Sequence, residues 1–332
     1  MSAIRNRLAP LLDIDSLQRI LYDKWKDNLK NKDLCLTDAT CYESNLRFPT
    51  DIKLLWESCE WMHDLLSCES RILSERVPRS KYNDVVKARL AYAKQRKHPA
   101  ASTKKLKRRL LKLLSKLIFQ WDHLRKLYSP CICLSAEREK RLCAVRAVYR
   151  QQSDLFLGKD VKRRIVSIDR PYLRPIVRGK ENKRVEFGAK FNNIEHHSFE
   201  AFNEGIRLRQ CIEYQESLTG IKVSRIGADS IYANNANRTM CTERGITTCF
   251  ARKGPKPKEE AEHLKTSRRI IGNLRATVME GSFGNQKQHY AVGRIKARNM
   301  FSETLLLFFG IHTANAAILA ARQMVSEMKK VA

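Results

Sequence analysis

Three carboxylic acids lie where predicted elements end or face inward, and together they could bind metal ions. Asp38 ends the apolar run LCLTD, Asp229 ends the run SRIGAD, and Glu280 lies within the helix-like segment IIGNLRATVMEGSFGNQKQHY. Neighbouring carboxylates repel one another and lose hydration, so they need a cation. Magnesium binds such oxygen ligands and keeps positions open for water and phosphate. Two magnesium ions, or manganese in their place, would suit phosphodiester chemistry, because one activates the attacking oxygen and the other stabilises the leaving oxygen.

Each acid also has a simpler explanation. Asp229 could cap the helix that is predicted after it, and Asp38 could cap a turn. Glu280 could be a solvated helix residue that pairs with Arg275 or Lys287. Spacing alone does not decide between these roles and a metal site.

The three acids can meet only if two strands are neighbours in one sheet and a helix packs beside their ends. The runs that end at Asp38 and Asp229 have the short apolar character of buried strands. As neighbours they would bring both aspartates to one edge, where a late helix could present Glu280. Other predicted helices are 13–30 (N-cap Asp15 or Ser16), 49–66, 106–124, 205–220, 234–245 and 302–328, and other predicted strands are 164–168, 184–191, 195–202 and 246–252.

The order of these elements predicts a mixed α/β fold. Strands and helices alternate after residue 164, and a Pro- and Lys-rich linker is predicted at 253–263. A block of basic helices interrupts this pattern after the first strand, at about 52–160. The protein is therefore expected to contain a mixed sheet flanked by helices, with a basic α-helical insertion.

The strong positive charge predicts a polyanionic partner. The 332 residues include 64 Lys and Arg against 35 Asp and Glu, a formal net charge of +29. This excess favours nucleic acid over an anionic membrane surface or a protein. Residues 79–126 hold 16 basic residues and two acids, and the apolar spacing from Leu106 to Leu124 predicts an amphipathic helix with a basic outer face. The alternative is a solvated surface, which usually mixes both signs. The predicted contacts to a DNA backbone are Lys104, Lys105, Lys107, Arg108, Arg109 and Lys112.

No segment predicts a membrane anchor or a structural zinc site. The most apolar stretch, Thr304–Ala321, is broken by His312 and Asn315 and is predicted to be a buried helix. The ten cysteines include a single CxC at Cys131 and Cys133 without a nearby histidine pair, so reduced thiols in the cytoplasm are the better explanation.

Several motifs together resemble a known family. They are TDAT, YESNLRFPTDIKLLWE, RPIVRGKENKRVEFGAK, FNEG, GADSIYANNANR and EGSFGNQKQHYAVGRIKAR. This set is similar to the insertion-sequence DDE transposases of the RNase H-like superfamily, over nearly the whole chain. The resemblance implies an RNase H-like mixed sheet, magnesium-dependent hydrolysis of a phosphodiester at the ends of a mobile element, and strand transfer into target DNA.

The resemblance also implies roles for single residues. Asp38 matches the first metal-binding aspartate, Asp229 the second, and Glu280 the glutamate on a late helix. Lys287 matches a lysine that contacts DNA seven residues after the glutamate, and Arg275 is approximately placed for a second phosphate contact. The implied partners are double-stranded DNA, as terminal repeats and target, and further copies of the chain in a homo-oligomer on DNA. The implied location is the nucleoid of a bacterial cell, with no membrane partner.

The chain departs from this family pattern near its start and before Glu280. Only about 33 residues precede the first strand, so residues 1–33 are expected to be a helical remnant ahead of a catalytic domain at 34–332. Gly272 stands where many relatives have a tyrosine. Two alternatives to a transposase therefore stay open: a truncated, inactive DNA-binding remnant, and a nuclease of the same fold without strand transfer.

Overall fold

The helices account for most of the fold. The computed structural model describes residues 2–11, 13–129, 131–177, 185–193, 195–251, 253–254 and 262–331. Its α-helices are α1 (Ser2–Leu8), α2 (Ile14–Trp25), α3 (Asp51–Ile72), α4 (Tyr82–Ala93), α5 (Ala100–Leu127), α6 (Ala136–Phe156), α7 (Leu208–Thr219), α8 (Asn235–Glu243), α9 (Glu262–Leu274), α10 (Glu280–His289) and α11 (Met300–Val331). A π-helical turn, Arg275–Met279, joins α9 to α10, and a 3₁₀ turn covers Ser230–Tyr232.

The strands are short and form small mixed sheets. They are β1 (Leu34–Thr37), β2 (Ala39–Ser44), β3 (Ile176–Val177), β4 (Val185–Glu186), β5 (Gly188–Asn192), β6 (His196–Ser198), β7 (Arg225–Ala228), β8 (Thr247–Thr248) and β9 (Arg294–Ile295). One sheet has the order β1-β7-β8, a second has the order β6-β5-β2-β9, and β3 pairs with β4. This architecture confirms the predicted mixed α/β class.

The chain divides into two compact units. The first comprises Met1–Asn45 and Ile176–Ala332, and the second is Leu46–Pro175. The basic helices predicted at about 52–160 fall within the range of the second unit. The assignment of 34–332 to one interrupted catalytic domain, and of 1–33 to a helical remnant, stays a prediction.

In the first unit, a single stretch of chain belongs to both larger sheets. β1 pairs in parallel with β7, whereas β2 pairs antiparallel with β5, and only Asp38 separates β1 from β2. A buried apolar cluster packs on the β1 and β7 side and includes Cys35, Ile226, Leu208 and Ile212. The first predicted strand therefore ends at Asp38, and the chain enters a second strand directly after it.

Gly227 allows α9 to pack closely on β7. A Cβ atom at this position would lie 2.6 Å from Leu36 Cδ2, closer than real Cβ atoms approach, and 3.0 Å from Ile271 Cγ2, which is an unusually tight contact. The absence of a side chain thus brings α9, and the π-helical turn that follows it, onto the strand that ends at Asp229.

The second unit is a helical bundle whose core matches the predicted periodicity. Thr50 caps α3, since its hydroxyl accepts the backbone N–H of Lys53 at 3.3 Å. The predicted apolar stripe of α5 is buried throughout, and it packs against α3 and α6. The buried residues of this stripe are Leu106, Leu110, Leu113, Leu114, Leu117, Trp121 and Leu124.

Several local predictions were wrong. Residues 164–168 form no strand, although Ile165, Val166 and Ile168 are buried, and no strand pairing among the described residues includes them. The N-cap of α2 is Asp13 and neither Asp15 nor Ser16, since the Asp13 carboxylate accepts both of their backbone N–H groups. Of the strand predicted at 246–252, the described part forms a strand only at Thr247–Thr248.

The predicted hairpin is present in shortened form. Of the strand predicted at 184–191, the described part forms β4 and β5, and β6 pairs antiparallel with β5 as predicted. Most of the predicted linker at 253–263 lies outside the described residues. Helix α7 ends at Gly220 as predicted, with a left-handed φ of 69°.

Helix α11 contains the one candidate membrane span of the described ranges. Met300–Val325 has the length and composition of such a span, and 44% of its most apolar stretch is buried inside the fold. Leu305, Leu307 and Phe308 are among its buried side chains.

Two residues of α5 provide a test of the second unit's core. Leu114 is fully buried, so Leu114→Ala should lower the free energy of unfolding by about 2–5 kcal/mol. Phe119 lies on the same helix and is 73% exposed, so Phe119→Ala should change it by less than about 0.5 kcal/mol. Urea denaturation of the two variants measures both effects. Equal losses would show that the inner face of α5 is assigned incorrectly.

Candidate active site

Strand pairing places Asp38 and Asp229 side by side. β1 and β7 are parallel neighbours, and their last register pair is Thr37 with Ala228. The next residue on each strand is one of the two aspartates, so the two backbones are separated by about one strand spacing, roughly 4.8 Å. The predicted meeting of the two strand ends is therefore observed.

Asp38 is the more buried of the two aspartates, and its environment disfavours its charge. Burial raises the pKa of Asp38 above its ordinary value of 3.8, and the negative charges of Asp229 and Glu204 raise it further. The backbone N–H of Ala39 and the guanidinium of Arg275 act in the opposite direction and do not outweigh these effects. A cation beside Asp38 would stabilise the charged carboxylate and so offset the effect of burial.

The guanidinium of Arg275 joins Asp38 to Glu280. Arg275 Nη1 lies 3.7 Å from Asp38 Oδ2 and 3.6 Å from Glu280 Oε1. The two carboxylate oxygens can therefore be no further apart than the sum of these distances. Arg275 is the first residue of the π-helical turn and Glu280 follows its last residue, so this turn sets where both side chains project.

Alternate residues from Asp38 onward form a row of polar contacts with the helices. Successive side chains of a strand point to opposite faces, so residues 38, 40, 42 and 44 share one face. We call these four residues, Asp38, Thr40, Tyr42 and Ser44, the polar strand face. Their partners, in the same order, are Arg275, Lys287, Gln286 and Glu303.

The contacts beyond Asp38 are mostly buried. Lys287 Nζ donates to Thr40 Oγ1 at 2.7 Å and lies 5.4 Å from the centre of the Tyr42 ring. The Tyr42 hydroxyl donates to Gln286 Oε1, and Gln286 Nε2 donates to Ser282 Oγ at 2.9 Å. These contacts fix the rotation of α10 about its axis and so direct the helix face that carries Glu280.

Sequence reasoning missed Thr40, Tyr42 and Gln286. The sequence did contain a signal for Thr40 and Tyr42. Side chains alternate between the two faces of a strand, so every second residue after Asp38 lies on the same face as Asp38. Nothing in the local sequence identified the helix that this face contacts, since Thr40 and Lys287 are 247 positions apart.

The simpler roles of the acids are partly observed. Asp229 Oδ1 accepts the backbone N–H of Ser230 at 2.7 Å and caps a short 3₁₀ turn, while Asn234 caps the next helix, α8. Glu280 pairs with Arg275, one of its two alternative partners, and its side chain is 58% exposed. A cap at Asp229 engages one carboxylate oxygen and leaves its second oxygen outside that hydrogen bond.

The donor chemistry of the site fits magnesium, although the acids are not gathered around one point. Asp38, Asp229 and Glu280 offer the hard oxygen ligands that magnesium prefers. Across the described ranges, no three His, Cys, Asp or Glu side chains are close enough to hold a metal ion. In this conformation Arg275, with its single positive charge, stands between Asp38 and Glu280.

The predicted DNA-contacting residues of α5 do not all face solvent. Lys104, Lys105, Arg108, Arg109 and Lys112 are exposed. Lys107 instead points inward, since its side chain is 12% exposed and its Nζ lies 2.9 Å from Asp51 Oδ2. Its charge is therefore used inside the second unit, and the outer face consists of the other five residues.

Comparison with protein-family models, with curated proteins and with solved structures finds no match to this chain. The function is therefore inferred from the residues and their geometry.

The raised pKa of Asp38 predicts how stability depends on pH. When a carboxyl has a higher pKa in the folded state than in the unfolded state, the free energy of unfolding of the protein falls as the pH rises from 3.8 through the folded-state pKa. Asp38→Asn removes this loss, so in EDTA the variant should be more stable than the wild type at pH 7. The gain should vanish below about pH 3.8. Asp27→Asn, at an exposed position in the same unit, should change stability by less than about 0.5 kcal/mol.

Denaturant unfolding across this pH range measures the difference between wild type and Asp38→Asn. A variant that is less stable at pH 7 would mean that the ion pair with Arg275 outweighs burial at this position.

Proposed function

We propose that the protein is a DNA transposase of the DDE type, which cuts and joins DNA with the help of divalent metal ions. The observation that carries the proposal is the parallel register of β1 and β7, because it sets Asp38 beside Asp229. Helix α10 adds Glu280, which shares Arg275 with Asp38, and Lys287, which contacts Thr40 of the polar strand face. The resemblance in sequence names these same residues.

The sheet architecture supports the proposal. An antiparallel ladder (β6, β5 and β2) and a parallel ladder (β1, β7 and β8) share the stretch of chain that contains Asp38. This is the kind of mixed sheet that an RNase H-like fold implies. Helix α7 packs against β1, and helix α9 packs against β7.

Magnesium, or manganese in its place, would be held by Asp38 and Asp229, with Glu280 completing a second position. When bound, the ions would activate the attacking oxygen and neutralise charge on the phosphate. Asp38 and Asp229 would orient the ions, because backbone N–H groups already fix one oxygen of each carboxylate. Glu280 would have to turn inward from its exposed position.

Arg275 has a defined role in this scheme. Without metal it supplies the positive charge that Asp38 and Glu280 need. A divalent ion carries more charge and would displace it, since both compete for the same oxygens. The released guanidinium would then be available for a DNA phosphate, which it can bind with two parallel hydrogen bonds. Metal binding and phosphate binding would thus favour each other.

The basic outer face of α5 would hold the DNA backbone. Within the described part of the chain, no ion pair with an acid is found for Lys104, Lys105, Arg109 or Lys112. Cations without an acidic partner attract phosphates and release counterions when they bind DNA. These residues would position the duplex without reading its sequence.

A second candidate function is DNA binding without catalysis. It is favoured by the position of Arg275 between two of the acids and by the lack of a ready three-carboxylate group among the described residues. Such a protein would bind DNA with a strong dependence on salt but would not nick it. A nuclease without strand transfer would nick DNA but would not join a 3′ end to a target.

Cleavage assays separate these functions. The substrate is a supercoiled plasmid that carries the DNA flanking the coding sequence, with magnesium or manganese present. We expect nicking and joining by the wild type, and a loss of at least about a thousandfold in Asp229→Asn. Asp27→Asn, which alters an exposed acid of the same unit, should retain full activity.

DNA affinity at several salt concentrations is measured on the same preparations. Asp229→Asn should bind DNA at least as tightly as the wild type, because it removes a negative charge. Undiminished cleavage by Asp229→Asn would refute the assignment of this site. Binding without any nicking by the wild type would instead support the non-catalytic function.

A further inference from the structure

The ammonium group of Lys287 is held by two residues of the polar strand face. Thr40 Oγ1 accepts a hydrogen bond from Lys287 Nζ at 2.7 Å, and the Tyr42 ring lies 5.4 Å from the same atom. Thr40 is only 5% exposed, so its hydroxyl must find its partner within the protein. Tyr42 is in turn fixed by Gln286, the residue before Lys287.

The spacing on both elements brings this lysine close to the acids. Asp38 and Thr40 are alternate residues on one strand face, about 7 Å apart along the strand. Glu280 and Lys287 lie seven residues apart on α10, which places them on nearly the same helix face two turns apart. The strand and the helix therefore each present one acid together with one member of the Thr40–Lys287 pair.

A lysine side chain needs such a support to act at a fixed point. Its four-carbon stem has high rotamer entropy, and ordering it opposes binding. A hydroxyl group on a strand is a rigid acceptor that orders the ammonium before any ligand arrives. Thr also suits the strand backbone, since it is β-branched.

We propose that Thr40 is a positioning residue that acts through Lys287. It holds the ammonium two residues along the strand from Asp38, so that Lys287 contacts a phosphate of the DNA strand whose neighbouring phosphate lies at the acids. The last threonine of TDAT, Thr40, and the lysine of EGSFGNQK, Lys287, would then act together on one phosphate. This inference rests on the proposed function for its phosphate ligand, whereas the Thr40–Lys287 contact does not depend on it.

Isosteric substitution tests the role in catalysis. Thr40→Val keeps the shape and the strand preference but removes the acceptor, and Thr40→Ser restores it. In single-turnover cleavage we expect Thr40→Val to react about tenfold more slowly, and Thr40→Ser to react within about twofold of the wild type. In a Lys287→Met background, Thr40→Val should have no further effect, because the residue through which it acts is gone.

An equal tenfold loss in the Lys287→Met background would assign Thr40 a purely structural role and overturn the inference. Thr40→Val with wild-type kinetics would overturn it as well. The thermal midpoints of the variants, measured in parallel, should lie within a few degrees of the wild type, because valine suits a strand.

Chemical labelling tests the contact without any need for activity. Acetic anhydride modifies exposed, mobile lysines, and mass spectrometry reports the rate at each site. We expect Lys287 to be acetylated severalfold faster in Thr40→Val than in the wild type or Thr40→Ser, with Lys112 unchanged as the internal control. An unchanged rate at Lys287 would overturn the inference. A wild type that does not cleave DNA would count against the proposed function, and labelling would still decide whether Thr40 holds Lys287.

Discussion

The candidate site depends on one length of strand whose buried polar groups must all find partners. Between Leu34 and Ser44 the chain leaves a parallel ladder and enters an antiparallel one, and Asp38 is the residue at the junction. Buried hydroxyls and carboxylates are costly without hydrogen bonds, so the polar strand face requires polar partners on the helices beside it. Because Thr40, Tyr42 and Ser44 each form a hydrogen bond with a residue of α10 or α11, these contacts favour one register of the two helices against the strand.

Charged side chains in both units likewise have partners of opposite charge. In the second unit, Asp51 pairs with Lys107, whose side chain is 12% exposed, and with the partly exposed Arg164, while the five basic residues of the outer face of α5 stay in solvent. In the first unit, Arg275 neutralises two acids that would otherwise repel each other. The net charge of +29 thus includes basic residues that are paired with acids, such as Lys107 and Arg275, as well as the exposed basic residues of α5.

Much of the fold could be predicted because local patterns report burial directly. The stripe of α5 and the glycine that ends α7 follow from periodicity and backbone conformation, and both were found. The segment 164–168 has β-branched residues but pairs with no strand among the described residues, and strand pairing over long distances cannot be read from a local pattern. The aspartates were identified from their positions after apolar runs. The position of the Arg275 guanidinium between Asp38 and Glu280 depends on a π-helical turn and on a contact between residues more than 200 positions apart. No local pattern in the sequence encodes either feature.

Binding of manganese to the DNA-free protein, followed by the electron paramagnetic resonance signal of the free ion, is the most direct test of a cation site at Asp38. We expect saturable binding by the wild type that is lost in Asp229→Asn. In Arg275→Gln the binding should be about threefold to tenfold tighter, because the competing guanidinium is absent. The absence of saturable binding, or binding that is indifferent to both substitutions, would contradict a metal site in which Arg275 holds the place of the ion.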